Sequence, residues 1–596
     1  MSRWVNENKR SHRCGELRDS DIGKDVTLMG WVHTQRNLGG CIFIDLRDRD
    51  GVTQIVFDPD IAGAALGLAA EVRGEWVVGI KGKVRSRGKN ANTRISTGAI
   101  EVAATELEIL ARAKPVPFPI ENEVNASEET RLKYRFLDLR REKLQKNFIL
   151  RHKFNQVVRR TLDANGFLEV ETPFLIKSTP EGARDYVVPS RVHQGKFFAL
   201  PQSPQLFKQL LMVAGYDRYF QITRCFRDED LRAERQPEFT QVDLEMSFVS
   251  PEDVQNVVEG VLANIWKELL DVTLPTPFER ISYDDSMNRF GVDAPDMRFG
   301  LELKDLSSVV KGCGFKVFVD TVANGGVVKA VNLSGSGEWS RKDLEELEEV
   351  VKPYGAKGLA WLKIKEDQTL QGPIAKFFTP DDQANLKQAL SLKVGDTAVF
   401  VADRLKVANA ALGNLRKHVA KKRALVAKDQ FRFVWVVDFP LFDYDEEAKR
   451  YSAAHHPFTS PKPEHADKML SDPASVKAQA YDIVLNGIEI GGGSIRIHDQ
   501  ALQSRMFEAI GIGDVEAHAK FGYLLDAFQF GAPPHGGLAL GVDRIMMLIC
   551  GTDSIRDVIA FPKTQKQTDL MLEAPAAIDD AQLTELAIKL IEAKKA

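Results

Sequence analysis

Five strand-length apolar runs open the chain: Val26-Thr-Leu-Met-Gly-Trp-Val, Cys41-Ile-Phe-Ile-Asp-Leu, Thr53-Gln-Ile-Val-Phe, Trp76-Val-Val-Gly-Ile-Lys-Gly-Lys-Val and Ile100-Glu-Val-Ala-Ala-Thr-Glu-Leu-Glu-Ile-Leu. Gly39-Gly40, Asp50-Gly51 and Gly88 punctuate them, and an alanine-rich helical stretch, Ile61 to Val72, interrupts them. Five short strands with one helix predict an OB-fold barrel over residues 26–113. Pro115-Val-Pro-Phe-Pro119 then reads as a stiff linker. Helical spacing follows from 127 to 165, and Asn165-Gly166 makes a C-terminal cap.

Beyond the cap, Gly166-Phe-Leu-Glu-Val-Glu-Thr-Pro-Phe-Leu reads as a strand that Pro173 confines to an edge or interface. Thr179 to Asp185 is a Gly/Pro loop of the kind that closes over sites. A strand from Phe198 leads into a helix with Ser203 as N-cap and Pro204 at its first position, which puts Gln205 and Lys208 on one face. Phe226 to Glu245 alternates on both sides of a charged, Pro-containing loop and predicts an antiparallel hairpin. From about 290 to 425 the pattern changes to helices (Asp305–Lys311, Arg341–Lys352, Pro380–Leu392) and strands (Phe315–Val319, Val327–Leu333, Ala398–Ala402), an inserted α+β unit. A buried strand at Arg432–Pro440, a loop with His455-His456 and a hairpin over Tyr481–His498 follow. A strand from Gly536 then runs through Gly541 into an apolar helix with Arg544 in its first turn, and Asp580–Lys595 reads as a short amphipathic helix. The expected organisation is a multidomain α+β protein: a barrel at 1–113, a hinge at 114–140, a main domain from 141–288 and 427–565, an insertion at 289–426 and an extension at 566–596.

Composition changes this picture little. The chain is 44% apolar and 28% charged with net charge −4, so any nucleic-acid contact has to come from local patches. No run approaches the ~18 apolar residues of a membrane span, and the polar N-terminus has no signal-peptide core. Five scattered cysteines (Cys14, Cys41, Cys225, Cys313, Cys550) without a CxxC pair fit a reducing, cytoplasmic compartment.

The chemistry concentrates in the hairpins. Arginines suit phosphate, and carboxylates suit a divalent metal or an exocyclic amine. No P-loop or dinucleotide fingerprint occurs, so phosphates would be held by arginines and a helix N-terminus. Arg227, Glu229, Asp482, Glu489 and Arg544 together would suit a bent, metal-bound ATP. On the barrel, Phe43, Arg36 and Gln54 form a candidate stacking and edge-reading platform for a nucleic-acid single strand. Lys81, Lys83, Arg85, Arg87, Lys89 and Arg94, a run with no acid in it, are a candidate backbone track.

Three stretches carry a resemblance. Gly166-Phe-Leu-Glu-Val-Glu-Thr-Pro, Phe226-Arg-Asp-Glu with Pro237-Glu-Phe-Thr-Gln, and Gly537-Leu-Ala-Leu-Gly-Val-Asp-Arg resemble motifs one, two and three of class II aminoacyl-tRNA synthetases. The barrel is similar to that of the subclass charging Asp, Asn and Lys. Ser178 to Asp185, Pro201 to Lys208 and an insertion of the GAD type resemble bacterial-type aspartyl-tRNA synthetases, and the likeness covers nearly the whole chain. It implies an enzyme that activates L-aspartate with ATP and Mg²⁺ and transfers it to tRNA-Asp, acting as a homodimer through the Pro173 region.

By residue, the resemblance implies Arg227 at the α-phosphate and Arg544 at the γ-phosphate as the catalytic pair. It implies Phe239 under adenine with Glu229 near its amine, and Asp228, Gln236, Gly541, Val542 and Asp543 completing the ATP site. Asp482 and Glu489 would carry Mg²⁺. Glu181, Gln205 and Asp243 would surround the substrate amino group, and Lys208, Arg496 and His455 its side-chain carboxylate. An arginine fork matches a carboxylate independently of any resemblance. Residues Met1 to Asn8 extend past the family's usual start. Relaxed members that also charge tRNA-Asn tend to carry His and Gly where this chain has Leu38 and Lys89, which implies a discriminating enzyme. The alternatives are a relaxed enzyme serving both tRNAs and a non-catalytic RNA-binding paralogue.

Overall fold

The computed structural model describes residues 3–179, 182–231, 234–427 and 429–591. They fall into two compact units, residues 1–152 with 552–577 and residues 153–551 with 578–596.

In the first unit, strands β1 (Asp25–Leu38), β2 (Cys41–Asp48), β3 (Gly51–Phe57), β4 (Val77–Ser86) and β5 (Ile100–Ala111) close into the expected barrel, in the order β1-β2-β3-β5-β4. Alternation turns Val26, Leu28, Ile42, Ile44, Leu46, Ile55 and Val102 inward as its core. The helical interruption is two pieces, Pro59–Ala62 and Ala64–Glu71, parted at Gly63 with φ +52°. Asp58 caps the first piece by accepting from the Asp60 N–H. The proline segment is not a bare spacer: Phe118 is buried with Ile120 and Leu137 in a small core of its own.

The basic run on β4 is less free than its sequence suggests. Lys81 pairs with Glu106 at 2.9 Å and Arg85 with Glu101 at 2.8 Å, both acids supplied by the neighbouring β5. Lys83, Lys89 and Arg94 remain exposed. A run without acids in sequence is thus partly neutralised across the ladder, where pairing is between strands rather than along one.

The second unit is built on an eight-stranded sheet. Its central members, in spatial order, are Ala480–Leu485, Ile488–Ile495, His535–Gly541, Glu238–Ser247 and Arg218–Phe226, all antiparallel. In chain order we label these β6 (Arg218–Phe226), β7 (Glu238–Ser247), β8 (Ala480–Leu485), β9 (Ile488–Ile495) and β10 (His535–Gly541). Both predicted hairpins, β6–β7 and β8–β9, are present. The stretch after Gly166 contributes only Leu168–Glu169 at the edge, as the nearby Pro173 would lead one to expect. Helix α1 (Gln205–Val213) begins one residue later than the capping pattern predicts, with the Gln205 N–H still bonded to the Ser203 hydroxyl at 3.3 Å.

The insertion is a five-stranded sheet with helices on both faces, including α2 (Leu405–Lys422). One expectation fails here: Phe315–Val319 is not a strand but the start of helix Lys316–Ala323. Phe315, Phe318, Val319 and Val322 all pack on one apolar cluster, a spacing of three and four that a five-residue window hides. The tail is also shorter than expected: helix Asp580–Glu585 ends before residues 586–591, and residues 592–596 lie outside the description. Among the described residues no helix is long and apolar enough to cross a membrane.

Candidate active site

The register places small residues where the sheet must be open and acids at the margins. Residues directly opposite on neighbouring strands share a face. One row across the sheet therefore holds Asp482, Gly492, Ala539, Asp243 and Gln221, and the next holds Ala480, Ser494, Gly537, Glu245 and Tyr219. Glycine is required at two of these positions by close approach. A Cβ on Gly492 would overlap the Asp482 carboxylate, and one on Gly537 would overlap both Glu245 Oε2 and the Leu244 carbonyl. The other face of β7 and β10 (Val242, Leu244, Leu538, Leu540) is buried and apolar.

Over the floor sits a cluster of four buried charges. Lys208, reaching down from α1, places Nζ 2.6 Å from Asp243 Oδ1 and 3.2 Å from Glu245 Oε2. Arg496, just after β9, donates to Glu245 through Nε at 2.9 Å and Nη2 at 3.1 Å, a two-pronged pair. Burial alone would raise the Glu245 carboxyl; Arg496 and then Lys208 override it and hold it down at about 2. Asp243 goes the other way: burial pushes it up, and Lys208 opposes without cancelling. Arg496 Nη1 donates to Ser494 Oγ at 2.8 Å and lies 2.9 Å from His456 Nε2. Burial first, then the Arg496 charge, depresses the His456 imidazole well below its usual range, so that ring is neutral.

Among the described residues, the buried Gln205 Nε2, Asp243 Oδ2 and Arg227 Nε have no partner. Native interiors leave few such groups unmatched, because each carries a desolvation cost of about 1–3 kcal/mol. Two of the three belong to residues expected at the substrate amino group and the third to the expected α-phosphate arginine.

The remaining expected residues are placed as follows. Arg227 lies over the Phe239 ring, 5.2 Å from its centre. Asp228 receives the Arg184 side chain at 3.8 Å, and Glu229 pairs with Arg235 at 3.1 Å within the loop of the first hairpin, where Gln236 is buried. Helix α3 (Val542–Ile549) starts at the end of β10, with Gly541 as its N-cap and Val542 buried. Asp543 accepts from the Thr240 N–H at 2.8 Å, tying that helix to β7. Arg544 donates to the Glu489 carbonyl at 2.8 Å and stands 3.7 Å from the Glu489 carboxylate. Asp482 is pushed well up by burial, then by the charges of Glu489 and Asp293. That pair of mutually repelling carboxylates fits a divalent cation completed by ligand oxygens, since no group of three ligating side chains stands together among the described residues. Glu181 lies outside the described residues.

His455 does not touch Arg496 through any recorded bond; its ring packs edge-on against Phe439, 5.0 Å away, and the neighbour His456 makes the contact. The expectation also passed over Glu245. Its signal was an acid two positions from Asp243 on a strand covered on both faces.

On the barrel, Arg36 is directly opposite Phe43 on one ladder, and Gln54 is opposite Asp45 on the next, so all share the outer face. Arg36 is held by Asp45 at 3.1 Å and reaches Gln54 Oε1 at 3.4 Å. Leu38 is exposed at the β1–β2 turn, and Lys89 is exposed in the single turn Gly88–Asn90.

Comparisons with known proteins bear on both units. Residues 127–565 match the family model described as tRNA synthetases class II (D, K and N), and residues 26–110 match that of the OB-fold nucleic acid binding domain. The chain is 56% identical over 584 residues to the aspartate–tRNA(Asp/Asn) ligase of Geotalea uraniireducens (strain Rf4), covering 98% of each. It is 54% identical over 583 residues to the aspartate–tRNA ligase of Macrococcus caseolyticus (strain JCSC5402), again covering 98% of each. Among solved structures, asparaginyl-tRNA synthetase from Pyrococcus horikoshii complexed with asparaginyl-adenylate is similar in fold, with TM-score 0.59 at 21% identity over 94% of this chain and 99% of that one.

Proposed function

The chain belongs to the class II tRNA synthetases of the aspartate, lysine and asparagine group, and from that membership we propose how its geometry performs the ligase reaction. It is an aminoacyl-tRNA synthetase that activates L-aspartate with ATP and charges tRNA-Asp. The observation that carries the residue-level reading is the set of unpartnered buried atoms beside two buried cations. Asp243 Oδ2, a free acceptor, suits the substrate ammonium, with Gln205 beside it. Lys208 and Arg496 suit the side-chain carboxylate. Arg227, with its free Nε–H, suits an α-phosphate oxygen and the negative charge that grows there as the aspartate carboxylate attacks phosphorus in line and pyrophosphate leaves. No protein nucleophile is needed. Phe239 and Glu229 serve the adenine, Gln236 and Asp228 line the same loop, and Arg544 at the start of α3 serves the distal phosphate. Asp482 and Glu489 would hold Mg²⁺, which supplies charge neutralisation to the triphosphate when bound.

The outer face of the barrel, with Arg36, Phe43 and Gln54, reads the anticodon. A second copy of the chain pairs through the Pro173 region, where Leu168, Phe174 and Leu175 stand exposed. Aspartate-dependent exchange of labelled pyrophosphate into ATP tests the reading; exchange with aspartate and none with asparagine at the same concentration is expected. Absence of exchange with aspartate would overturn it. A second reading, charging of tRNA-Asn as well, is favoured by the name of the Geotalea relative, against the discriminating reading of Leu38 and Lys89. Aspartylation of purified tRNA-Asn decides between the two, its presence selecting the relaxed enzyme.

A further inference from the structure

A cavity of about 860 Å³ lies between the insertion and the catalytic sheet. One wall is the sheet side: Arg544 and Glu489, with Arg235 from the loop of the β6–β7 hairpin. The other is α2, which presents Lys417 and Lys421 one turn apart, with Ala420 on the helix and Ala424 just past its end as small residues that leave the space open. The other cations of this wall pair have partners: Arg298 with Asp296 at 2.7 Å, Arg235 with Glu229 at 3.1 Å and Arg544 with Glu489 at 3.7 Å. Among the described residues, Lys417 and Lys421 have no recorded hydrogen bond or ion pair. Lys417 is largely enclosed; burial, then the adjacent Arg416, lowers its ammonium, while Asp296, Asp293 and Glu234, which also line the cavity, oppose. Arg416 is locked in place, stacked between Phe290 and Phe299 and donating to the carbonyls of Asp296, Phe299 and Gly300, so the α2 wall is held against the strap that leads into the insertion.

Asp293, Asp296 and Glu234 also line the cleft, yet neither lysine is held in an ion pair among the described residues; two such cations in a cleft that begins at the distal-phosphate arginine suit a small polyanion. We propose that this cleft binds the pyrophosphate released by aspartate activation and conducts it outward, with Lys417 and Lys421 as its cationic wall; this rests on the assignment of Arg544 made above. The insertion thereby acquires a part in the first chemical step, as a holder of the leaving group. A single-stranded tRNA end is the competing occupant.

The test is aspartate-dependent pyrophosphate exchange with pyrophosphate as the varied substrate, on the full chain carrying Lys417→Gln, Lys421→Gln or both. The KM for pyrophosphate is expected to rise about threefold for the exposed Lys421 and about tenfold for the enclosed Lys417, as screened and partly desolvated charge contacts do. The KM for aspartate should stay within about twofold, since the Lys208–Arg496 cluster is untouched. Lys417→Arg, which keeps the charge, should restore most of the loss. An unchanged KM for pyrophosphate overturns the proposal, and a rise confined to the KM for tRNA in aminoacylation overturns it in favour of the RNA end. Absence of exchange in the unmodified enzyme would instead overturn the ligase reading itself.

Discussion

Replacing Glu245 with glutamine changes one oxygen for one nitrogen and leaves shape and volume nearly intact, so it isolates the charge. In the native cluster Lys208 and Arg496 balance Asp243 and Glu245, all four buried. Glu245→Gln leaves an excess buried positive charge and puts an amide N–H₂ where Arg496 and Lys208 now donate. The folded-state carboxyl sits at about 2 against an ordinary value of 4.5. By linkage, a depression of that size corresponds to about 3 kcal/mol of stability. The same order, about 3–5 kcal/mol, is the known cost of breaking a buried ion pair from one side. The sign follows from the direction of the shift. A depressed acid contributes fully above its unfolded value, and the contribution is lost as pH falls from about 4.5 towards 2.

A chain of this length does not unfold in one step, so the measurement has to be local. Hydrogen–deuterium exchange of peptides spanning β7 and β9 reports the opening of these two strands. At pH 7, Glu245→Gln should speed exchange there about a hundredfold, which is what about 3 kcal/mol buys, while peptides from the barrel stay unchanged. The native protein should lose the same protection on acidification below about pH 4.5, and the variant, already without it, should show no such step. The KM for aspartate should rise more than about tenfold, because Arg496 loses the carboxylate that aims it. Protection within about threefold of native at pH 7 would refute the reasoning, since it would mean that Arg496 and Lys208 do not depend on Glu245 for their charge balance.

Gly537→Ala should abolish exchange activity by driving Glu245 off Arg496, at a cost of about 2 kcal/mol or more; Gly513→Ala, whose added carbon meets nothing, is the control, and equal activities would refute the close-approach argument. Asp243→Asn should raise the KM for aspartate about tenfold to a hundredfold, the worth of one charged hydrogen bond. Because burial raises the Asp243 carboxyl, the native KM should climb as pH falls and the ionised acceptor is lost; the variant should lack that slope, and a shared slope would assign it elsewhere. Phe43→Ala should raise the KM for tRNA about tenfold through lost stacking and leave pyrophosphate exchange unchanged; equal loss of both would count against a separate anticodon surface.

The strands of both units were legible because short apolar or alternating runs rich in β-branched and aromatic residues end at Gly, Pro or Asn-Gly punctuation. Helix Lys316–Ala323 was not, because Phe-Lys-Val-Phe-Val is rich in β-branched and aromatic residues and only the continuation to Ala323 shows the spacing of three and four. Glu245 was passed over because, between Leu244 and Met246, an acid reads as the solvent side of a strand. Here that side faces Lys208 and Arg496 instead, partners 37 positions back and 251 positions on, so the signal was distributed over distances that no local pattern spans. The same holds for the basic run on β4, whose acids sit on β5. Local periodicity decides elements; the partners of buried charges are set by register.

His456 shows what that distributed arrangement selects. The Phe458 N–H donates to His456 Nδ1 at 3.2 Å, so Nδ1 carries no proton. The ring is neutral, so its proton is on Nε2, which faces Arg496 Nη1 at 2.9 Å. Arg496 Nη1 is itself a donor, and two donors oppose each other with nothing between them to accept. The other tautomer only moves the conflict, leaving the Phe458 N–H facing an N–H. A ligand oxygen beside both, accepting from each as they move apart, would resolve it, and a carboxylate would do so with a second oxygen to spare. A carboxamide offers one oxygen and then turns its N–H₂ toward one donor or the other. A site built this way would be expected to reject the amide by leaving its own buried donors unmatched, a penalty of the order of 10⁴-fold. The four-charge cluster sums to zero, so on this reading net charge alone would not set aspartate apart from asparagine. The preference would come instead from His456 Nε2 and Arg496 Nη1, 2.9 Å apart, with the arginine held in place by Glu245.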